Sequence, residues 1–384
     1  MDGAPTELAV NKNESLVESR DIRIIKPNSP AIPASEGSHL QVTTGEQVPW
    51  RQRPAKELLR MAFYALPTAK VLAEGRGSED LWANIHLNSR PPFEGGVNVF
   101  GRNPESATGW GKPVTLRDLA DGVVPESAAK PAEGPVLDRY LHQWERLLPQ
   151  VELFPEGVGE LPSESQEFQE EDQALGPNEK LIWANGKFSL VVIKSPHLSG
   201  LHLVVHPNQK YWGEKGGFKR AWQVDKSQDG QGAPQEHVQG FLEAVAIING
   251  AERVLIEEGK LPFYNPETHF SGNWTPDFQP PERGGSLDTS YLSQTDLEKA
   301  RKEEKREHRV GGVEEWQTAM HGHLYATRDP NTYVSLPARP EKEVPQEWEG
   351  ITPLTDDEEG TIKTLIAERL TPWLEQNAMG SLNS

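Results

Sequence analysis

Three apolar, β-branched runs between Leu181 and His206 constrain the fold of this chain more than any other feature. The first two runs are separated by Asn185-Gly186, a strong signal for a tight turn between antiparallel strands. The runs are Leu181–Trp183, Lys187–Lys194 and Leu201–His206. A helix candidate follows over residues 236–258, with one apolar face and a break expected at Asn249-Gly250. The sequence therefore predicts an α+β fold, in which a helix covers one face of an antiparallel sheet.

A later strand-like run, Trp316–Tyr325, carries two histidines at His321 and His323. Side chains two residues apart on a β-strand lie on the same face, so both imidazoles are predicted to face one site. A hydroxyl residue, Thr318, comes three positions before the first histidine. This arrangement suits a nucleophilic histidine held by a neighbour, or a pair of metal ligands.

Composition excludes several classes of function. The net charge of −19 argues against binding to nucleic acid or to anionic membranes, because phosphate groups attract Lys and Arg. The absence of cysteine excludes disulfides, thiolate catalysis and cysteine-ligated zinc. There is no signal-peptide pattern and no apolar run of the roughly 20 residues that span a bilayer. We expect a soluble, cytoplasmic protein.

The chain of 384 residues is long enough for two folded units, although no internal repeat is visible in its sequence. A helix is predicted over Ala55–Leu66 and ended by Pro67, and another over residues 355–377 with a Thr355/Glu358 capping box. The predicted divisions are a flexible tail (1–48), a mostly helical or irregular N-terminal region (49–150), an acidic linker (151–176), a catalytic domain (177–340) with an insertion (275–313), and a C-terminal helix and tail (341–384).

The order of these elements resembles the histidine-triad superfamily, which includes nucleotidyl hydrolases, nucleotide phosphorylases and hexose-1-phosphate uridylyltransferases. Strand, turn, strand, basic loop, helix and a strand with two histidines follow one another over residues 181–336. Gln317 and Thr318 stand where the family carries Gln or Gly and then Ser. The run Gly200–Asn208 resembles a conserved family strand. The resemblance implies a histidine-triad-like antiparallel sheet with a covering helix.

The resemblance also implies a mechanism. His323 would be the nucleophile that attacks the α-phosphate of a nucleotide or nucleotide-sugar and forms a covalent nucleotidyl-histidine. His321 would orient it, and a backbone carbonyl or His321 would hold its other ring nitrogen. Tyr325 takes the third position of the motif, where the family carries histidine or glutamine. The expected substrate-binding residues are Thr318, Gln317, Tyr325, Asn273, His202, His206 and Lys215.

No cofactor is required for attack in this family, although some members bind a divalent metal for structure. Family members pair their sheets as dimers, so a homodimer is one expectation. The alternative is that the N-terminal region occupies the same sheet edge. Two other functions stay open at this point: a metal-dependent enzyme in which the histidine pair and one of His202, His206 or His269 bind Zn or Fe, and a nucleotide-binding protein without turnover.

Overall fold

The computed structural model places a ten-stranded sheet at the centre of the chain. It describes residues 15–19, 22–27, 39–44, 48, 52–76, 82–88, 95–102, 134–152, 179–194, 199–208, 211–212, 235–273, 321–331, 352 and 354–379. The predicted insertion at 275–313 and most of the predicted acidic linker lie outside these residues. Within the part that is described, no helix is long and apolar enough to cross a membrane.

Helices lie between groups of strands along the described part of the chain. The strands are β1 (Ser15–Ser19), β2 (Ile22–Ile25), β3 (His39–Thr43), β4 (Trp82–Asn88), β5 (Val97–Arg102), β6 (Glu179–Ala184), β7 (Phe188–Ile193), β8 (Gly200–Pro207), β9 (Tyr264–Asn273) and β10 (His321–Thr327). The helices are α1 (Ala55–Arg76), α2 (Gly134–Glu152), α3 (Gln235–Glu252, continued by a π-helical turn Arg253–Glu258) and α4 (Asp356–Leu374, continued by Glu375–Met379).

All ten strands form one antiparallel sheet in the order β1-β2-β3-β5-β4-β9-β10-β8-β7-β6. The α+β class and the three strands predicted from the apolar runs are confirmed. Strand β9 pairs with β4. The N-terminal region therefore occupies the outer edge of strands β6–β10, the edge at which a homodimer contact was the other expectation.

The sheet contains the same topology twice, although the sequence shows no repeat. In the first half (β1–β5, residues 15–102) three strands are followed by α1 and two more strands, and the last strand inserts between the third and the fourth. The second half (β6–β10, residues 179–327) has the same connections around α3 and the same spatial order. The two halves join through their fourth strands, β4 and β9.

The helices lie on one face of the sheet and bury its apolar side. Helix α1 packs against β3, β4 and β5, while α3 packs against β8 and β10, and the two helices also contact each other. Helix α4 packs against α3 and β6, and α2 packs against α1. Alternate residues of the strands point at these helices and form the main core. Val191, Ile193 and Val204, which alternate with main-core residues of β7 and β8, form a smaller apolar cluster on the other face.

The N-terminal region differs from its prediction. Residues 1–48 were expected to be a flexible tail and 49–150 to be mostly helical or irregular, but their described parts include five strands of the sheet. The first helix does not end at Pro67 and runs to Arg76. Thr68, the residue after the proline, donates a side-chain hydrogen bond of 2.7 Å to the Tyr64 carbonyl. Burial of Ala69, Val71 and Leu72 further stabilises the continuation.

The last helix begins as predicted. The Thr355/Glu358 capping box is present at the start of α4. Arg328, just after β10, donates to the same Glu358 carboxylate through Nη2 at 2.6 Å. This ion pair, with the hydrogen bonds of the cap, lowers the pKa of Glu358 to about 2. The contact ties the end of the central strand to the helix that covers α3.

Helix α3 runs through Asn249-Gly250 without the expected break. A Cβ at position 250 would lie 2.7 Å from the Trp373 ring, so glycine permits the close approach of α4 to α3. Gly360, inside α4, has nothing within 4 Å of such an atom.

These two glycines make a matched pair of test sites. Gly250→Ala should lower the free energy of unfolding by roughly 1–3 kcal/mol, because the added methyl overpacks the helix contact. Gly360→Ala should raise it by roughly 0.5–1 kcal/mol, because alanine loses less backbone entropy in a helix. Urea unfolding of both variants measures the difference. An equal gain in stability at both sites would contradict the close contact between α3 and α4.

Candidate active site

Strand β10 carries the two histidines of the sequence motif in the middle of the sheet, between β9 and β8. Leu324 and Ala326 belong to the core on the helix side. His323 and Tyr325 alternate with them and lie on the opposite face, where each is only 2% exposed. The site is thus a polar cluster on the face of the sheet opposite to the described helices α1 and α3.

Gly322 separates the two histidines for a steric reason. A Cβ at this position would lie 2.5 Å from the Phe270 ring and 2.9 Å from the Val205 side chain. The glycine lets Phe270 pack across β10 on the helix side. Core packing on the helix side of the sheet therefore restrains the β10 backbone next to His323.

Two side chains contact the same nitrogen of His323. Its Nδ1 lies 3.0 Å from the Tyr325 hydroxyl and 3.1 Å from His202 Nε2. The His323 and Tyr325 rings are within 7° of parallel. His202 is fully buried on β8, and its ring centroid lies 4.4 Å from that of Tyr325.

The strand register produces this cluster. Tyr325 and His202 are direct cross-strand partners in the β10·β8 pair, and His323 lies two residues away on the same face. Sequence reasoning expected a backbone carbonyl or His321 at the second nitrogen of His323. The structure places Tyr325 and His202 at Nδ1, two residues that the resemblance assigns to substrate binding, and it does not describe the side chain of His321.

These contacts determine which nitrogen can react. If the His323 Nδ1–H donates to the Tyr325 oxygen or to His202 Nε2, the lone pair remains on His323 Nε2. If His202 Nε2–H donates to His323 Nδ1, neutral His323 carries its proton on Nε2. Its one available lone pair, on Nδ1, then accepts this hydrogen bond and cannot attack. The direction of one hydrogen bond therefore separates a nucleophile from a structural histidine.

A row of polar positions crosses the sheet at the level of His323. Register pairs His323 with His269 on β9, His269 with His86 on β4, and His86 with Asn98 on β5. The row continues across the β4·β9 pair, where the two halves meet. His269 was considered from the sequence only as a metal ligand, and His86 and Asn98 were not identified at all.

The first half carries a second polar cluster of the same construction. His39 Nε2 lies 3.0 Å from Asn98 Oδ1, and the His39 ring centroid is 4.4 Å from that of Phe100. Gln41 Nε2 also donates to Asn98 Oδ1, at 3.1 Å. Burial lowers the pKa of His39 to about 4, with the Asn98 hydrogen bond acting in the opposite direction. His39 is therefore neutral near pH 7.

The remaining predicted site residues are only partly described. His206 is buried on β8, with its Nε2 3.7 Å from Glu179 Oε1. Asn273 lies at the end of β9, four residues beyond the partner of His323. Thr318, Gln317 and Lys215 lie outside the described residues. For His321 the structure gives the strand position, opposite Ser271.

No three His, Asp or Glu side chains in the described part of the chain are grouped so that they could hold a metal ion. Comparisons of the chain with protein-family models, with curated proteins and with solved structures found no match. What the site can do is therefore inferred from its own geometry.

The low pKa of His39 makes a stability prediction. The folded chain resists protonation at His39 between its usual pKa of 6.5 and about 4, while the unfolded chain accepts the proton. The stability contribution is therefore full above pH 6.5 and falls by roughly 3 kcal/mol in total as the pH drops to about 4.

Urea unfolding at pH 7 and pH 4.5 measures this loss. His39→Gln keeps an amide donor toward Asn98 but cannot titrate, so its loss between the two pH values should be smaller than that of the wild type by about 2 kcal/mol. His142 has a side chain that is 77% exposed, and His142→Gln serves as the control for replacing a histidine outside the buried cluster. Identical pH dependence in wild type and His39→Gln would contradict the neutral, buried state of His39.

Proposed function

We propose that this protein is a nucleotidyl transferase or hydrolase with a histidine-triad-like fold, in which His323 attacks the α-phosphate of a nucleotide or nucleotide-sugar. The observation that carries the proposal is the double contact at His323 Nδ1, from the Tyr325 hydroxyl at 3.0 Å and His202 Nε2 at 3.1 Å. A histidine nucleophile needs its second nitrogen held in this way, because the proton must stay there while the first nitrogen attacks.

The first step forms a bond between His323 Nε2 and the α-phosphorus. The Nε2 lone pair attacks, and the bond from phosphorus to the bridging oxygen of the leaving group breaks. That oxygen keeps the electron pair and departs as an alcohol, phosphate or sugar phosphate, with any proton it needs taken from water. The nucleotide is left on His323, with the imidazole proton still on Nδ1.

The second step releases the nucleotide to an acceptor. A water molecule or the oxygen of a second phosphate attacks the same phosphorus, and the N–P bond breaks with its electrons returning to Nε2. The acceptor releases any proton it carries to water. His323 is then neutral again, with its proton on Nδ1, and the cycle closes without a net change in the protein.

His202 and Tyr325 act as positioning residues in this scheme. Between attack and release His323 carries positive charge, and the partners at Nδ1 accept its proton in hydrogen bonds. Both partners are buried, so the bond is not exchanged for water. Donors for the oxygens of the transition state are expected from Thr318 and Gln317, just before β10.

Covalent attachment at His323 is the direct test of this function. Intact-mass measurement after brief mixing with a panel of nucleotides and nucleotide-sugars should show one acid-labile nucleotide on the wild type. His323→Asn should carry none, while His142→Gln, an exposed histidine change, should label like the wild type. Labelling should persist after chelator treatment. Equal labelling of wild type and His323→Asn would exclude His323 as the nucleophile.

Tyr325→Phe tests the positioning role. It removes one hydrogen bond at Nδ1 and keeps the ring, so nucleotide attachment in a single turnover should slow by roughly tenfold, the effect of about 1.4 kcal/mol. The equilibrium affinity of the His323→Asn protein for the nucleotide should not change when Tyr325→Phe is added. An unchanged attachment rate in a properly folded variant would show that the hydroxyl does not hold the nucleophile.

A further inference from the structure

The first half of the sheet contains a polar cluster that matches the His323 site position by position. His39 pairs with Phe100 across β3 and β5, as His202 pairs with Tyr325 across β8 and β10. Asn98 lies two residues before Phe100, as His323 lies two residues before Tyr325.

The side-chain contacts repeat as well as the register. The distance from His39 Nε2 to Asn98 Oδ1 is 3.0 Å, and the distance from His202 Nε2 to His323 Nδ1 is 3.1 Å. The ring centroids of His39 and Phe100 are 4.4 Å apart, the same distance that separates His202 and Tyr325.

The surrounding strands continue the match. Asn98 is paired with His86 on β4, and His323 is paired with His269 on β9. His86 and His269 are in turn partners across the β4·β9 pair that joins the halves. The correspondence therefore extends over three strands in each half and meets at their common boundary.

We infer that the first half is a disabled copy of the reactive site, in which Asn98 occupies the position of the nucleophile. This inference rests on the proposed function, because it names the reactive position by comparison with His323. The chain then has one reactive site, at His323, although the strand arrangement that holds this site occurs twice.

The chemistry of the amide explains why the copy is disabled. The nitrogen lone pair of asparagine is delocalised into the carbonyl, so it does not attack phosphorus. Asn98 Oδ1 already accepts hydrogen bonds from His39 and from Gln41, and both Asn98 and His39 are buried. An amide oxygen can only accept, so His39 must donate through Nε2–H.

The second half differs because the group at position 323 has a ring proton of its own. In the reactive state that proton lies on His323 Nδ1, and His202 Nε2 accepts. His202 and His39 therefore occupy equivalent places with opposite donor and acceptor roles. Replacing His323 by asparagine should make the second half resemble the first.

The main experiment introduces the side chains of the His323 site at the equivalent positions of the first half. Asn98→His and Phe100→Tyr are introduced together with His323→Asn, and the protein is mixed with the nucleotide that labels the wild type. Attachment of one nucleotide per chain, mapped to position 98 by peptide mass, is the expected result. The matched control carries Phe100→Tyr and His323→Asn with Asn98 kept, and it should remain unlabelled.

A folded triple variant that gains no nucleotide, under conditions that label the wild type, would overturn the inference and leave the proposed function intact. Failure of the wild type itself to label would instead count against the proposed function.

A second measurement keeps the inference testable if the triple variant does not fold. In His323→Asn protein with ¹⁵N-labelled histidine, the nitrogen spectrum reports which nitrogen of His202 carries the proton. The expected result is a change from Nδ1–H in the wild type to Nε2–H in the variant, the state of His39. An unchanged Nδ1–H at His202 in the variant would show that the two clusters are not equivalent.

Discussion

The antiparallel pairing of β4 with β9 is the contact on which the rest of the molecule depends. Residues from Trp82 to Asn88 pair with residues from Thr268 to Asn273, and this ladder joins two five-stranded halves into one sheet. Because the halves meet through equivalent strands, α1 and α3 lie on the same face and contact each other. The cluster of His323, Tyr325 and His202 lies on the opposite face. Without this ladder each half would end in an open strand edge, which exposes unpaired backbone groups.

Within this sheet, the reactivity of each cluster depends on the direction of the hydrogen bond between its histidine on β3 or β8 and the side chain at position 98 or 323. At Asn98 the direction is fixed, since the amide oxygen accepts and the neutral His39 donates. Between His202 and His323 either direction is chemically allowed, because both side chains are imidazoles. The Tyr325 hydroxyl, 3.0 Å from the same nitrogen, is the additional group that the second half has and the first half lacks. The first half thus has an amide in place of the reactive imidazole and a phenyl ring in place of the phenol, and it has Gln41 beside Asn98 where the second half has Val204 beside His323.

Much of the second half was predictable from sequence because its signals are local. The runs that became β6, β7 and β8 are apolar and continuous, the Asn185-Gly186 turn separates two of them, and the capping box starts α4 as expected. Alternation along β10 placed His323 and Tyr325 on one face. The partner of His323 could be only partly foreseen, because His202 is 121 residues away and its alignment depends on register. The strands of the first half were not predicted, because they are short and carry weak local signals. Pro67 is typical of a helix end, and Asn98 at the position equivalent to His323 gives no histidine signal in the sequence.

The protonation state of His323 in the free protein is the most direct test of this account. A ¹⁵N spectrum of histidine-labelled protein near pH 7, assigned with the His323→Asn variant, distinguishes the two ring nitrogens. We expect a neutral His323 with its proton on Nδ1 and an unprotonated Nε2 that can attack. A proton found on Nε2 instead, with Nδ1 accepting from His202 or Tyr325, would contradict the central claim and leave His323 as a structural residue of the sheet.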